Sequence, residues 1–170
     1  MARYDLENVI KGRIAEAIVE ELLRACGNQV YRFGYESILQ NLVQNGSRFD
    51  HHSANGEQLR TIPDFVVVSS EGKSFFFEVK FRADPSWLLK SPLLKQLKEY
   101  WTAKLILVTT AQPRFRVVDP QSLFDDEFSF EALENDPDLN VTARAVEKCE
   151  RLVARFLMNG TKPASQARLG

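Results

Sequence analysis

Along the first part of the chain, Leu6, Ile10, Ile14, Ile18, Leu22 and Ala25 recur every three or four positions. This spacing predicts an amphipathic helix from about Leu6 to Ala25. Asp5 can cap its start, while Gly27 and Asn28 supply a stop. Gly12 costs helix propensity, which suggests that something approaches closely there, and Glu16 lies one turn later at the edge of the apolar face. Gln29 to Glu36 sets Tyr31, Phe33 and Tyr35 in alternation with Arg32, Gly34 and Glu36, the period of a strand. Residues 41 to 58 are polar and turn-rich and predict a long loop, a kind of segment that is often functional in compact domains.

Phe65 to Val68 is a short apolar strand, and Ser69 to Lys73 is a turn. Ser74 to Arg82 is a two-faced strand, with Phe75, Phe77, Val79 and Phe81 on one side and Phe76, Glu78, Lys80 and Arg82 on the other. Beyond Pro85 and Pro92, Leu93 to Trp101 reads as a helix and Lys104 to Thr110 as a buried strand. Phe115 to Val118 fits an edge strand. Asp125 to Asp138 is an acidic, partly helical connection. Asn140 can cap a final helix whose stripe is Val141, Ala145, Cys149, Leu152, Val153 and Phe156, stopped by Asn159 and Gly160. The fold class is therefore α/β: a mixed central sheet flanked by helices in the order αβββαβ, with an extra C-terminal helix packed outside. One domain spans residues 1 to 160, its core about 5 to 110, its acidic connection and helix 125 to 158, and 161 to 170 form a flexible tail.

Composition narrows this picture. The chain has 170 residues, 44% of them hydrophobic, enough to bury a core without staples. Cys26 and Cys149 are too few and too distant for a disulfide framework or a metal cluster, and read as small hydrophobes in a reducing compartment. No signal-peptide core or membrane-length apolar run is present, which points to a cytoplasmic protein with no membrane partner. The net charge of -1 hides an asymmetry: residues 1 to 124 carry 16 Lys and Arg against 14 Asp and Glu, while 125 to 138 carry seven acids and no base. Such a balance neither demands nor excludes a polyanion, because binding depends on the face presented.

Chemistry concentrates between Ile62 and Arg82. Alternation puts Glu78 and Lys80 on one strand face, and a tight hairpin brings Asp64 beside them. Converging carboxylates call for a counter-charge, and Mg²⁺, a hard cation, suits carboxylate oxygen, although Lys80 alone could also serve. For phosphodiester hydrolysis a metal on Asp64, Glu78 and the Val79 backbone carbonyl would activate water and offset charge on the phosphorane oxygens. Lys80 would orient or help deprotonate that water and stabilise the same charge. Glu16 could hold a second metal, directly or through water. The plainer alternative is an exposed strand pair with Asp64 as a turn residue.

Pro63-Asp64, thirteen intervening residues, then Glu78-Val79-Lys80 resemble the motif of the PD-(D/E)xK nuclease superfamily. The resemblance covers about residues 5 to 110 in order and type of element and implies a restriction-endonuclease-like core. Lys11, Gly12 and Glu16 are similar to the opening of archaeal Holliday-junction resolvases, and Gln96 with Tyr100, spaced QxxxY, resemble the RecB-type motif. RecB-type enzymes commonly carry His where this chain has Glu16, and the cysteine cluster of the iron-sulfur branch is missing. The resemblance implies a Mg²⁺-dependent nuclease, with Mn²⁺ able to substitute, acting on DNA in repair and recombination or in restriction and defence. RNA is a weaker alternative substrate, and a homodimer stays open because many enzymes of this fold pair to cut two strands. The catalytic set is then Asp64, Glu78, Lys80, Glu16 and Gln96, with Gln96 orienting the site or donating to a phosphate.

Tyr100, Arg82, Lys95, Lys98 and Arg48 are candidate nucleic-acid contacts. Arg82 to Lys104 holds five bases and two acids with Trp87, Tyr100 and Trp101 interleaved, which suits a phosphate track with stacking aromatics or, equally, a solvated helix face whose aromatics serve the core. His51-His52 lacks the helical spacing of a paired metal site and reads as a polar loop. The functional alternative from another class is a non-catalytic nucleic-acid-binding or scaffold protein on the same fold.

Overall fold

A computed structural model describes residues 5–34, 53–84, 92–119, 121 and 129–158. Its core is a six-stranded mixed sheet flanked by helices, an α/β architecture. In chain order the elements are α1 (Leu6–Ala25), β1 (Gln29–Arg32), α2 (Ala54–Arg60), β2 (Phe65–Val68) and β3 (Ser74–Phe81). Then come α3 (Leu93–Gln96, continued by a π-helical turn Leu97–Trp101), β4 (Lys104–Val108), β5 (Phe115–Val118) and β6 (Glu131–Ala132). A 3₁₀ turn (Leu133–Asn135) leads to α4 (Ala143–Val153), which ends in a π-helical turn (Ala154–Met158). The strands lie side by side in sequence order, antiparallel except for β3 and β4. That parallel pair needs a crossover, and α3 lies on it.

The two faces of β3 divide the core as alternation predicts. Phe75, Phe77, Val79 and Phe81 face the larger cluster, with Ile18, Val19, Leu22 and Leu23 of α1 and Val146, Cys149 and Val153 of α4. Phe76 faces the smaller cluster, where Leu94 and Leu97 pack on Leu105 and Val118. Helices thus cover both faces, and α4 is part of the main core layer, packed on α1, where the pattern had placed it outside.

Local signals hold at α1. The Asp5 carboxylate accepts from the amides of Glu7 (3.1 Å) and Asn8 (3.4 Å), and Gly27 turns out of the helix at φ 86°. The buried Asn28 amide group donates to the carbonyls of Leu23 (3.1 Å) and Leu139 (2.9 Å), tying the end of α1 to the approach to α4.

Several expectations are corrected. The buried face of α1 is Ala15, Ile18, Val19, Leu22 and Leu23, whereas Leu6, Ile10 and Ala25 are exposed, because the sheet lies beneath only the later turns of the helix. A Cβ added at Gly12 would meet no atom within 4 Å, so no close approach explains that glycine among the described residues. Residues 41 to 52 of the predicted loop lie outside the described residues, and its end belongs to α2, which Ser53 begins by accepting from the Gly56 amide (3.0 Å); with Asn55 and Gly56 inside, its propensity is too weak to show as a period. β5 is not an edge, since β6 pairs with it through Arg116–Ala132 and Val117–Glu131, and a two-residue strand is too short to show alternation. Thr142, not Asn140, caps α4 by accepting from Ala145 (3.4 Å), while Asn140 adopts φ 49° and donates to the Ser70 hydroxyl (3.0 Å). The π-helical turn inserts an extra residue, so Leu157 enters the core and Phe156 is half exposed.

The acidic connection is built into the fold where it is described. Asp136 and Asp138 accept from the Lys104 ammonium at 2.9 and 2.8 Å, with Lys104 and Asp136 both buried. This ends any role for Lys104 in a phosphate track. Residues 125 to 128, the Asn159-Gly160 stop, the 161 to 170 tail, His51-His52, Trp87, Lys90 and Arg48 lie outside the described residues. No described helix is long and apolar enough to cross a membrane.

Removing the cation from a buried pair strands its carboxylate. Lys104→Met is therefore expected to lower the unfolding free energy by about 3 kcal/mol, as read from urea denaturation.

Candidate metal centre

The site follows from the pairing of β2 with β3. Phe65 lies opposite Phe77 and Val66 opposite Phe76, so one further step of the register sets Asp64 opposite Glu78. Asp64 sits where β2 has not yet begun, directly after buried Pro63, and its backbone is pinned by the residues just after β1: its carbonyl accepts from the amides of Phe33 (2.9 Å) and Gly34 (3.2 Å). Because β2 offers no ladder partner at this level, the Asp64 side chain takes that place, and its Oδ2 accepts from the Val79 amide at 2.8 Å. In an extended strand the N–H and C=O of one residue leave on the same edge, so the Val79 carbonyl points toward Asp64 as well.

Glu78 is only 7% exposed and its Oε1 accepts from the Lys80 ammonium, two residues along the same face. Burial pushes the Glu78 carboxyl up to about 7; Lys80 opposes this, and the negative charges of Asp64 and Glu16 add to it. Burial also raises Asp64 above the ordinary carboxylate range, against the pull of Lys80, the Val79 amide and Arg32. Burial by itself would lower Lys80, but Glu78 and then Asp64 hold it above its ordinary value. The buried Glu78 carboxylate and the half-buried Asp64 carboxylate thus share one ammonium and remain short of positive charge.

Glu16 arrives from α1 near enough for its charge to be felt by Glu78 and Lys80. It is held by Arg32 of β1, whose guanidinium lies 3.9 Å from the Glu16 carboxylate and 2.6 Å from that of Glu20. Among the described residues, no three His, Cys, Asp or Glu side chains gather as a metal-binding group. The donor set that fits a hard divalent cation is therefore Asp64, Glu78 and the Val79 carbonyl, all oxygen, with Mg²⁺ able to keep several waters. Gln96 is half-buried at the junction of α3 with its π-helical turn, and no hydrogen bond joins it to Asp64, Glu78 or Lys80.

Of the candidate nucleic-acid contacts, Lys95 and Lys98 are exposed on α3 and its π-helical turn, with Lys95 3.8 Å from Glu99, and Tyr100 is half-buried. Arg82 is half-buried and donates to the Phe81 carbonyl at 2.7 Å. Trp101 is occupied within the protein: its indole N–H lies 3.3 Å from the Thr61 hydroxyl, and its ring meets Phe33 and Phe76 at centroid distances of 5.7 and 5.8 Å. This aromatic group braces the segment beside Asp64.

Arg32 and Glu20 escaped the sequence reading. Their signal was present: Glu16, Glu20 and Arg24 stand at successive four-residue steps on α1, and two acids one turn apart ask for a base from elsewhere. Comparison with protein-family models, curated proteins and solved structures found no match.

The sign of the Glu78 shift sets a pH dependence for the metal-free protein. With a folded value of about 7 against an ordinary 4.5, the folded state holds the proton more tightly, so the Glu78 contribution to stability is full below 4.5 and is lost as pH rises through 7. Urea denaturation in EDTA across this range is expected to show that decline, and Glu78→Gln to flatten it.

Proposed function

We propose that this chain is a Mg²⁺-dependent nuclease on a restriction-endonuclease-like core, hydrolysing DNA phosphodiester bonds. The observation that carries the reading is the placement of Asp64 opposite Glu78, with Val79 bonded to Asp64 and Lys80 bonded to Glu78. These are the residues of the PD-(D/E)xK pattern, and the αβββαβ order of strands and main helices agrees with it, with α2 as an insertion.

Asp64, Glu78 and the Val79 carbonyl would hold Mg²⁺, which when bound supplies positive charge to a phosphoryl oxygen and to the attacking water. Glu78 must give up its proton to serve as a ligand, so ion binding strengthens as pH rises through about 7. Lys80, held above its ordinary value, is protonated at neutral pH and acts as a cation toward the phosphorane oxygens rather than as a base. The exposed Lys95 and Lys98 lie on α3 and its π-helical turn, which pack on the sheet face that carries Phe76, Glu78 and Lys80, and suit contact with the phosphate backbone.

The test is a panel of single-stranded, linear, circular and four-way-junction DNA, with RNA alongside, in Mg²⁺ or Mn²⁺. Metal-dependent cleavage is expected, and Asp64→Ala or Glu78→Ala should reduce it by about 10³-fold or more. If no cleavage is found that depends on metal and is lost in Asp64→Ala, the reading fails, and nucleic-acid binding without metal would favour a non-catalytic scaffold.

A further inference from the structure

We propose that the exposed face of α4 and its π-helical turn is a second nucleic-acid surface, on which a row of cations grips the phosphate backbone of a duplex segment other than the one being cut. The proposal rests on the nuclease reading above and adds to it how the substrate is held. Arg144, Lys148, Arg151 and Arg155 are all exposed and follow one another at steps of four, three and four residues. That spacing lines them along one helix face, opposite the buried Val146, Cys149, Val153 and Leu157. The row is roughly 16 Å long at about 1.5 Å per residue.

Helix stability does not account for these charges. Cations near a helix C-terminus complement its dipole, which suits Arg151 and Arg155, but Arg144 stands in the first turn, at the positive end, with no acid in that turn. The acids nearest the row already face partners: Glu147 meets Arg151 at 2.7 Å, Glu150 meets Gln112 at 3.1 Å and Arg114 at 3.9 Å, and Glu21 of α1 lies 3.7 Å from Arg24. Among the described residues no acid pairs with Arg144 or Lys148, and the Arg155 guanidinium lies over the Phe156 ring at 5.2 Å. The shape of the row selects the partner. Cations spread along a line cannot converge on one phosphate, whereas a strand of DNA presents a phosphate about every 3.4 Å, or roughly five along such a row. Between the cations there is no apolar anchor for a peptide, because Ala145 and Leu152 are packed against the core, and the exposed Phe156 and Met158 lie beyond the last cation. Since α4 packs on α1 and α3 packs in the other cluster, this surface is separate from Lys95 and Lys98. It holds DNA without touching the reacting phosphate.

Fluorescence anisotropy of a labelled duplex of about 30 base pairs in EDTA, with salt raised from about 50 to about 200 mM, reads this without cleavage. The full, unaltered chain is expected to bind with a log-log salt slope of magnitude about 2.7 or more, from three contacts at about 0.9 each. The Arg144→Gln, Lys148→Gln, Arg155→Gln variant should lose about one unit of slope per cation removed, and its KM for cleavage should rise. Arg144→Lys, Lys148→Arg, Arg155→Lys, which keeps the charge, should keep the slope. A shallower slope in the unaltered chain overturns the proposal, and that measurement stands even if a variant fails to fold. Equal slopes in the unaltered chain and the folded glutamine variant overturn it too. Capture of phosphatidylserine vesicles in place of duplex DNA, lost in the glutamine variant, overturns it in favour of an anionic membrane. Any of these results alongside metal-dependent cleavage removes this proposal alone, whereas neither duplex binding nor cleavage by the unaltered chain removes the nuclease reading with it.

Discussion

The antiparallel register of β2 and β3 is the constraint on which the site depends. Phe65 and Phe77 are both fully buried and directly opposed, and they cannot slip by a residue without turning the apolar face of β3 out of the core and Glu78 into it. Core packing therefore fixes which residues meet at the start of β2, and those residues are Asp64 and Glu78. The polar site carries none of the cost of defining its own geometry; the phenylalanines beside it do that.

The electrostatics follow from the same placement. Glu78 is buried because β3 is an interior strand, with β2 on one side and β4 on the other, and Lys80 lies beside it because alternation returns to the same face after two residues. Burial raises the carboxyls while leaving them one cation short, an arrangement better suited to holding a divalent ion than to stabilising a fold. The cluster of Lys104 with Asp136 and Asp138 is a useful contrast. There two carboxylates also share one ammonium, and both reach it at normal hydrogen-bond distance, 2.9 and 2.8 Å. That cluster reads as structural, anchoring the acidic connection to β4.

Around the centre, the protein's two sides contribute differently. The α1 side brings charge through Glu16, Glu20 and Arg24, joined to β1 by Arg32. The α3 side brings an apolar and aromatic wall in which Phe33, Phe76 and Trp101 meet edge to face or tilted. The Trp101 indole bond to Thr61 ties this wall to the residues just before Asp64, so the approach to the site is braced from both faces of the sheet.

The periods of three to four and of two, the cap at Asp5 and the stop at Gly27 were legible in the sequence because they are local: each depends on neighbours within a turn or a strand. So were Asp64, Glu78 and Lys80, since alternation alone places Glu78 with Lys80 and a hairpin brings Asp64 close. What escaped was every feature set by contacts distant in sequence. Leu6 and Ile10 fit the helical stripe yet lie beyond the reach of the sheet, Val146 and Leu157 replaced expected core positions where packing and a π-helical turn shifted the phase, and β6 exists only because β5 offers it an edge. Lys104 reads as a free base along the chain but is paired with Asp136, and Arg32, an exposed strand position, is paired with Glu20 of α1. The chain's own periodicity determined the elements and the pair of carboxylates. Only the tertiary structure decided which charges neutralise one another, because that depends on distances across elements that no spacing along the chain records.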